Sequence, residues 1–158
     1  MYRILMDNLY TLLNSSVFLS GFFSWFLAQL IKTIVEVSRG RNPSSRDILE
    51  SLVWKTGGMP SSHSALAASL ATSLGFTEGL DSPVFVVSLF FGILTIRDAM
   101  GVRRAAGNQA QALNQLIEEL HQKLDTKSKA VKEVHGHTPA EVFIGCLLGF
   151  FIAMAFCI

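Results

Sequence analysis

The chain has 158 residues, enough for one domain, and half of them are hydrophobic. Charged residues make up 16%, well below the ~25% that is usual for soluble domains, and the net charge is only +1. This composition argues against a soluble enzyme, and we expect no nucleic acid as a partner. It predicts an all-α integral membrane bundle, with a single membrane-embedded domain over residues 1–158.

Four segments are predicted to cross or enter the bilayer. Residues 8–31 contain no charged side chain and exceed the ~20 residues that a spanning helix needs. Residues 56–77 lack Asp, Glu, Lys and Arg but consist mainly of small residues. We therefore expect a short helix from about Ser61 that packs against other helices rather than facing lipid. The third segment, residues 82–96, is strongly apolar.

The fourth segment, residues 142–158, is apolar to its last residue and becomes long enough to span if residues 137–141 form its first turn. It contains both cysteines, Cys146 and Cys157, whose spacing fits no metal-binding pattern, so we interpret them as small apolar side chains. The opening residues MYRILMDNLY make a poor secretory signal because Asp7 interrupts them. We expect the first helix to be retained, with a cleaved signal as the open alternative.

A polar arm, residues 103–136, connects the third and fourth segments. Within it, NQAQALNQLIEELHQKL predicts one amphipathic cytoplasmic helix, because its apolar residues recur at helical spacing. These residues are Ala112, Leu113, Leu116, Leu120 and Leu124. With four crossings, the arm and residues 37–60 share one side, which carries nearly all Lys and Arg. The positive-inside rule makes that side cytoplasmic and both termini exoplasmic, unless the arginines are there to bind an anion.

The stretch TGGMPSSHSA, residues 56–65, differs from the apolar segments around it. Its glycines and Pro60 predict a turn, and Ser61 or Ser62 is the expected N-cap of the helix that follows. The N–H groups at that helix end carry positive potential and can bind an anion, which His63 in the first turn can reach. For an isolated PSSH, the simpler interpretation is a capped helix with a surface histidine.

Two further polar clusters border the apolar segments. In GHTPAEV, His137 and Glu141 share one helical face, so the carboxylate can accept a ring N–H and raise the nucleophilicity of the ring. In RDAMGVRRAAGNQA, Asp98, Arg103 and Arg104 lie near a membrane boundary, where ionisable residues are costly and usually functional. The alternatives are a solvated carboxylate beside a helix-start histidine and a basic cluster at the lipid surface.

The predicted topology brings these features to one membrane level, where the end of the first segment adds Lys32 and Arg39. Cations around an anion-binding helix terminus are typical of a phosphate site. The two histidines add a nucleophile and an acid, so the cluster is suited to catalysis on phosphate as well as to binding it.

These motifs resemble those of the divergent branch of the type 2 phosphatidic acid phosphatase family, which is related to vanadium haloperoxidases. That family is built around K-x6-RP, PSGH and SR-x5-H-x3-D. Lys32 and Arg39 have the first spacing, with Gly40 in place of the proline. PSSH stands for PSGH, and His137 with Glu141 matches H-x3-D with Glu for Asp.

The SR pair of the third motif is missing, since its arginine would fall at Val131. The resemblance covers roughly residues 29–149 and implies that Arg103 or Arg104 supplies the missing charge. It implies no metal and no other cofactor. Asp98 is open to two interpretations, as the partner of an arginine or as the mark of a metal.

The resemblance also implies a role for each site residue. His137 would attack phosphorus and form a phosphohistidine, Glu141 would orient it, and His63 would protonate the leaving oxygen. The phosphoryl oxygens would be held by Lys32, Arg39, Ser61, Ser62, Arg103 and Arg104.

Two functions follow, from different classes. The first is a phosphatase of the inner cell membrane, with a lipid phosphate or diphosphate as substrate, membrane lipids as its surroundings and its active face toward the cytoplasm. The second is a catalytically inactive phosphate-binding, phospholipid-binding or transport protein, which the departures at Gly40, Val131 and Glu141 motivate. A structural membrane protein whose polar residues only pack helices is the remaining alternative.

Overall fold

The computed structural model of the protein describes residues 1–38, 58–124, 129–131, 133 and 136–158. All regular structure within these ranges is helical, which confirms the predicted all-α class. The helices are α1 (Tyr2–Leu13), α2 (Ser16–Ser38), α3 (Ser62–Thr77), α4 (Pro83–Met100), α5 (Val102–Leu124) and α6 (Pro139–Cys157).

Three stretches in the described part of the chain are long and apolar enough to cross a membrane. They are Ser16–Val35, Pro83–His121 and Pro139–Cys157. The second predicted segment, residues 56–77, forms the 16-residue helix α3, whose length of about 24 Å falls short of the ~30 Å hydrocarbon core. The bundle therefore combines three candidate spans with one shorter helix among them.

The first predicted segment, residues 8–31, is divided in the structure, so its predicted start was wrong. The helix stops at Asn14, whose side-chain amide donates to the carbonyl of Tyr10 at 2.8 Å. A new helix then starts after Ser15, whose hydroxyl accepts the amide N–H of Phe18 at 3.5 Å. Polar side chains that bond to nearby backbone favour such helix ends. The spanning stretch therefore begins at Ser16, and α1 is a separate, exposed amphipathic helix.

Helix α3 lies at the centre of the bundle, against α2, α4 and α6. Its buried residues are all small: Ser62, Ser64, Ala65, Ala67, Ser69 and Ser73. On α6, a Cβ added to Gly145 would overlap the carbonyl of Ser61, and one added to Gly149 would overlap that of Ala65. Small residues on both helices thus let the two backbones approach closely, as predicted for a helix that packs rather than faces lipid.

Contacts at one end of the bundle bring four helix termini together. The amide N–H of Ser61 donates to the carbonyl of Glu141 at 3.1 Å, so α3 and α6 begin at the same level. The amide N–H of His137 donates to the carbonyl of Ala99 at 3.1 Å, which places the end of α4 there as well. The side chain of Lys32, near the end of α2, packs close to Gly58 just before α3.

Helix α5 confirms the predicted amphipathic helix and extends it back to Val102. The apolar side chains of Leu113, Leu116 and Leu120 are exposed on it. Asn114 on the same helix bonds both backbone groups of Val131, at 2.7 Å to the N–H and 2.9 Å to the carbonyl. The chain that returns toward α6 is therefore docked on α5.

Candidate active site

The beginning of α6 holds His137 in one orientation through Glu141. The Thr138 hydroxyl caps the helix by accepting the amide N–H of Glu141, and the Glu141 carboxylate accepts the amide N–H of Thr138 at 2.9 Å, which together form a capping box. The same carboxylate oxygen lies 3.2 Å from Nδ1 of His137. A carboxylate acceptor favours the proton on Nδ1, so the lone pair of the ring is on Nε2.

His137 is buried, with 5% of its surface exposed, and its pKa is lowered. Removal from water is the main cause, because burial disfavours the charged ring, and the cations of Lys32 and Arg103 lower the pKa further. Glu141 opposes these effects through its hydrogen bond and its charge. The balance leaves His137 neutral at neutral pH, which is the state that a nucleophile requires.

His63 occupies the first turn of α3 and is the more exposed of the two histidines. Its pKa is also lowered, first by desolvation within the surrounding protein and then by Arg103, His137 and Lys32. Asp98 acts in the opposite direction. The backbone bonds from Ser61 to Glu141 and from His137 to Ala99 place both histidines at one end of the bundle, and the charges of Lys32 and Arg103 lower the pKa of both.

The cations predicted for phosphate binding differ in position. Lys32 is buried at 5% exposure in the last turns of α2. Arg103 is exposed, and its Nε lies 2.8 Å from a carboxylate oxygen of Asp98, so the predicted pairing of Asp98 with an arginine is present. Arg104 is exposed and its backbone lies against Gly136. Of the two arginines, Arg103 is the one whose charge acts on the histidines.

Arg39 lies outside the described residues, as does Gly40. Val131, where the arginine of the third family motif would fall, is docked on Asn114. Asn114 is eleven residues, or about 16 Å, along α5 from Arg103. The loop position of the motif is therefore docked well along α5 from Arg103, whose charge lowers the pKa of both histidines.

The two serines of PSSH are buried and contribute in different ways. The Ser61 hydroxyl accepts the amide N–H of Ser64 and the Ser64 hydroxyl, so Ser61 is the N-cap, as predicted, and its oxygen is already engaged. The amide N–H of Ala65 donates to the carbonyl of Ser61. The amides of Ser62 and His63 have no hydrogen bond within the described ranges. These two donors at the positive end of α3 are positioned for an anion.

Gln29 is a residue that sequence reasoning did not assign. It lies one turn before Lys32 on α2 and is 3% exposed. Its side-chain oxygen has no hydrogen-bond partner among the described residues, an uncommon state for a buried polar atom. In the sequence, Gln29 could have been found as a polar residue that lies three positions before Lys32 in an otherwise apolar helix.

The described residues contain no group of three His, Cys, Asp or Glu side chains placed to hold a metal ion. The polar groups that do converge are two histidines, one carboxylate, one buried lysine and one arginine that is paired with Asp98. We refer to Lys32, His63, Arg103, His137 and Glu141 as the histidine cluster. Its composition matches fixed-cation chemistry on phosphate.

Comparison with known proteins identifies the family of this chain. Residues 13–152 match the model of a family described as the Divergent PAP2 family. The chain is 38% identical over 154 residues to the uncharacterized membrane protein YuiD of Bacillus subtilis (strain 168), which covers 90% of this chain and 94% of that protein. No solved structure matches the chain. The protein therefore belongs to the Divergent PAP2 family and is an integral membrane protein.

Proposed function

We propose that this protein is a membrane phosphatase that hydrolyses a lipid phosphate or diphosphate through a phosphohistidine at His137. The observation that carries the proposal is the buried imidazole of His137, with its Nδ1 on Glu141 and with His63, Lys32 and Arg103 in the same electrostatic environment. Membership of the Divergent PAP2 family supports it.

In the first step, the Nε2 lone pair of His137 attacks phosphorus, a P–N bond forms and the bond to the leaving oxygen breaks. The ring becomes positively charged, and Glu141 stabilises this charge through the Nδ1 hydrogen bond. Lys32, Arg103 and the amides of Ser62 and His63 hold the phosphoryl oxygens, where negative charge must be neutralised in the transition state.

The leaving oxygen takes its proton from His63. The lowered pKa leaves His63 neutral in the empty site, so the negative charge of bound phosphate must first restore its proton. In the second step, His63 accepts a proton from water, the water oxygen attacks phosphorus and the P–N bond breaks. Inorganic phosphate leaves, and both histidines return to their initial state.

The apolar helices around the histidine cluster support a substrate with an apolar tail. The helix termini that carry the cluster lie at one end of the candidate spans Ser16–Val35 and Pro139–Cys157, so we expect a lipid with its phosphate at the membrane surface to reach them without leaving the bilayer. We propose that this end faces the cytoplasm of an inner membrane, since the arm that follows α4 is rich in lysine.

A second candidate is a phosphate- or phospholipid-binding or transport protein without turnover. It is favoured by the pairing of Arg103 with Asp98, because a paired arginine offers less charge to a phosphate. It is also favoured by the remote position of Val131, which leaves the cluster without the arginine of the third family motif.

The test is release of inorganic phosphate from a panel of lipid monophosphates and diphosphates by purified protein in detergent. We expect turnover by the wild type, loss of it in His137→Ala and full retention in His121→Ala. His121 is the matched control because the same replacement is made eighteen residues along α5 from Arg103. Tight binding of these lipids without any phosphate release would exclude the phosphatase and leave the binding protein.

A further inference from the structure

An apolar groove of about 550 Å³ lies between α2 and α3, toward the end of α2 that is opposite Lys32. Its lining includes Leu12 at the end of α1, Phe18, Gly21 and Trp25 of α2, and Leu66 and Leu70 of α3. Gly21 keeps it open, because a Cβ at that position would lie 3.3 Å from Leu66 Cδ1 and 3.5 Å from Leu70 Cδ2. The groove therefore depends on the absence of a side chain at Gly21, among larger apolar residues.

The groove follows the same faces of both helices as the histidine cluster. On α2, Trp25 and Phe18 lie seven and fourteen residues before Lys32, which is close to two and four whole turns. On α3, Leu70 lies seven residues after His63, again close to two turns. The charged groups and the groove are thus successive parts of one seam between α2 and α3.

The dimensions of this seam match a lipid that enters by its phosphate. From Lys32 to Phe18 the helix rises about 21 Å, or roughly two-thirds of the ~30 Å hydrocarbon core. One end of the seam carries cations and donors for a phosphate, and the other end is apolar and lies within the candidate span Ser16–Val35. This gradient is complementary to a single molecule that has an anionic head and a hydrocarbon tail.

We propose that the groove holds the hydrocarbon tail of the substrate lipid while its phosphate is at the histidine cluster. The inference rests on the proposed function for the identity of the head group. It assigns Trp25, Gly21 and Leu70 as determinants of tail specificity. It also predicts that the protein acts on long-chain lipid phosphates in preference to soluble phosphate esters, because only a long chain makes van der Waals contacts along the groove.

The test uses photo-crosslinking, which does not require turnover. A phosphatidic acid with a diazirine in the middle of one acyl chain is added to the wild-type protein in detergent micelles, illuminated, and its adducts are mapped by mass spectrometry. We expect adducts in the groove, on residues 18–25 and 66–70. A phosphatidylcholine with the same chain should label the groove at least several-fold less, since its head group does not match the cations.

Equal groove labelling by both lipids would show ordinary surrounding lipid and overturn the proposal, as would adducts confined to the exposed face of α4. Failure of the proposed function has a different signature, because the wild type would then release no phosphate whatever the adduct pattern.

A filled groove gives the kinetic counterpart of this test. Leu70→Trp should lower kcat/KM for a long-chain lipid phosphate by about tenfold, because the larger side chain fills space that the lipid tail would occupy, and should leave a short-chain soluble ester unaffected. Leu94→Trp is the matched control, since Leu94 is 64% exposed on α4. Equal losses for both substrates in Leu70→Trp would contradict the assignment. Circular dichroism and elution volume establish that both variants fold.

Discussion

Replacement of Glu141 by glutamine separates its electrostatic role from its structural one. Glutamine can take the place of glutamate in a capping box, so α6 should keep its start. The variant removes the negative charge from the acceptor that lies 3.2 Å from Nδ1 of His137. The positive ring that forms during attack then loses a charge-assisted partner, while the fold is preserved.

The expected magnitude follows from the geometry of this contact. A hydrogen bond to a charged group contributes about 1.5–3 kcal/mol, and each ~1.4 kcal/mol is a factor of ten in rate. We therefore expect Glu141→Gln to lower kcat by about 10- to 150-fold. The contact of 3.2 Å is longer than the ~2.7–2.9 Å of strong charge-assisted bonds, which favours the lower part of this range.

The assay is phosphate release under substrate saturation, together with thermal unfolding in detergent. Thr138→Ala is the matched control, because the Thr138 hydroxyl caps the helix by accepting the amide N–H of Glu141 and the replacement leaves the Glu141 carboxylate in place. It should destabilise the protein by about 1 kcal/mol and leave kcat unchanged. The reasoning is refuted if Glu141→Gln keeps kcat within twofold of the wild type, or if Thr138→Ala lowers kcat as much as Glu141→Gln does.

Three further predictions concern titration, packing and orientation. The fall of kcat/KM toward acid pH should occur below pH ~6.5, because the lowered pKa of His137 keeps its ring neutral at about pH 6.5 and above. Lys32→Met should move this fall to higher pH, because the lysine charge lowers the pKa of His137. A fall at the same pH in Lys32→Met would show that Lys32 does not act on the titrating group. Gly149→Leu should destabilise the bundle by about 1–3 kcal/mol, because the added side chain would overlap the backbone of α3. An unchanged unfolding temperature in detergent would contradict the close contact between α6 and α3. In intact cells without native cysteines, an impermeant maleimide should label a cysteine at Glu78 but not one at Lys129; the reverse pattern would place the histidine cluster outside.

The sequence was sufficient to predict the parts of the fold that depend on local chemistry. The start of α3 at its serine cap and the pairing of His137 with Glu141 were both predicted, because a cap and an i, i+4 pair need only neighbouring residues. The break between α1 and α2 was missed. Asn14 and Ser15 lie in an uncharged run of suitable length, and hydropathy alone does not register a pair of polar side chains that bond to the backbone.

Relations between distant residues could not be read from the sequence. The choice of Arg103 over Arg104 depends on which way each arginine projects from the start of α5, and the two are adjacent in the chain. The tight contact of Gly145 and Gly149 with α3 depends on a partner about eighty residues away. The groove beside Gly21 exists only once α2 and α3 are packed together.

The central claim is that His137 carries the phosphoryl group, and trapping that intermediate tests it most directly. A lipid phosphate labelled with radioactive phosphorus is mixed with purified protein and quenched in alkali within the first turnover, because a P–N bond survives base and is lost in acid. We predict alkali-stable label on the peptide that contains His137 and none in His137→Ala. Label on His63, or near wild-type hydrolysis by His137→Ala, would contradict the account.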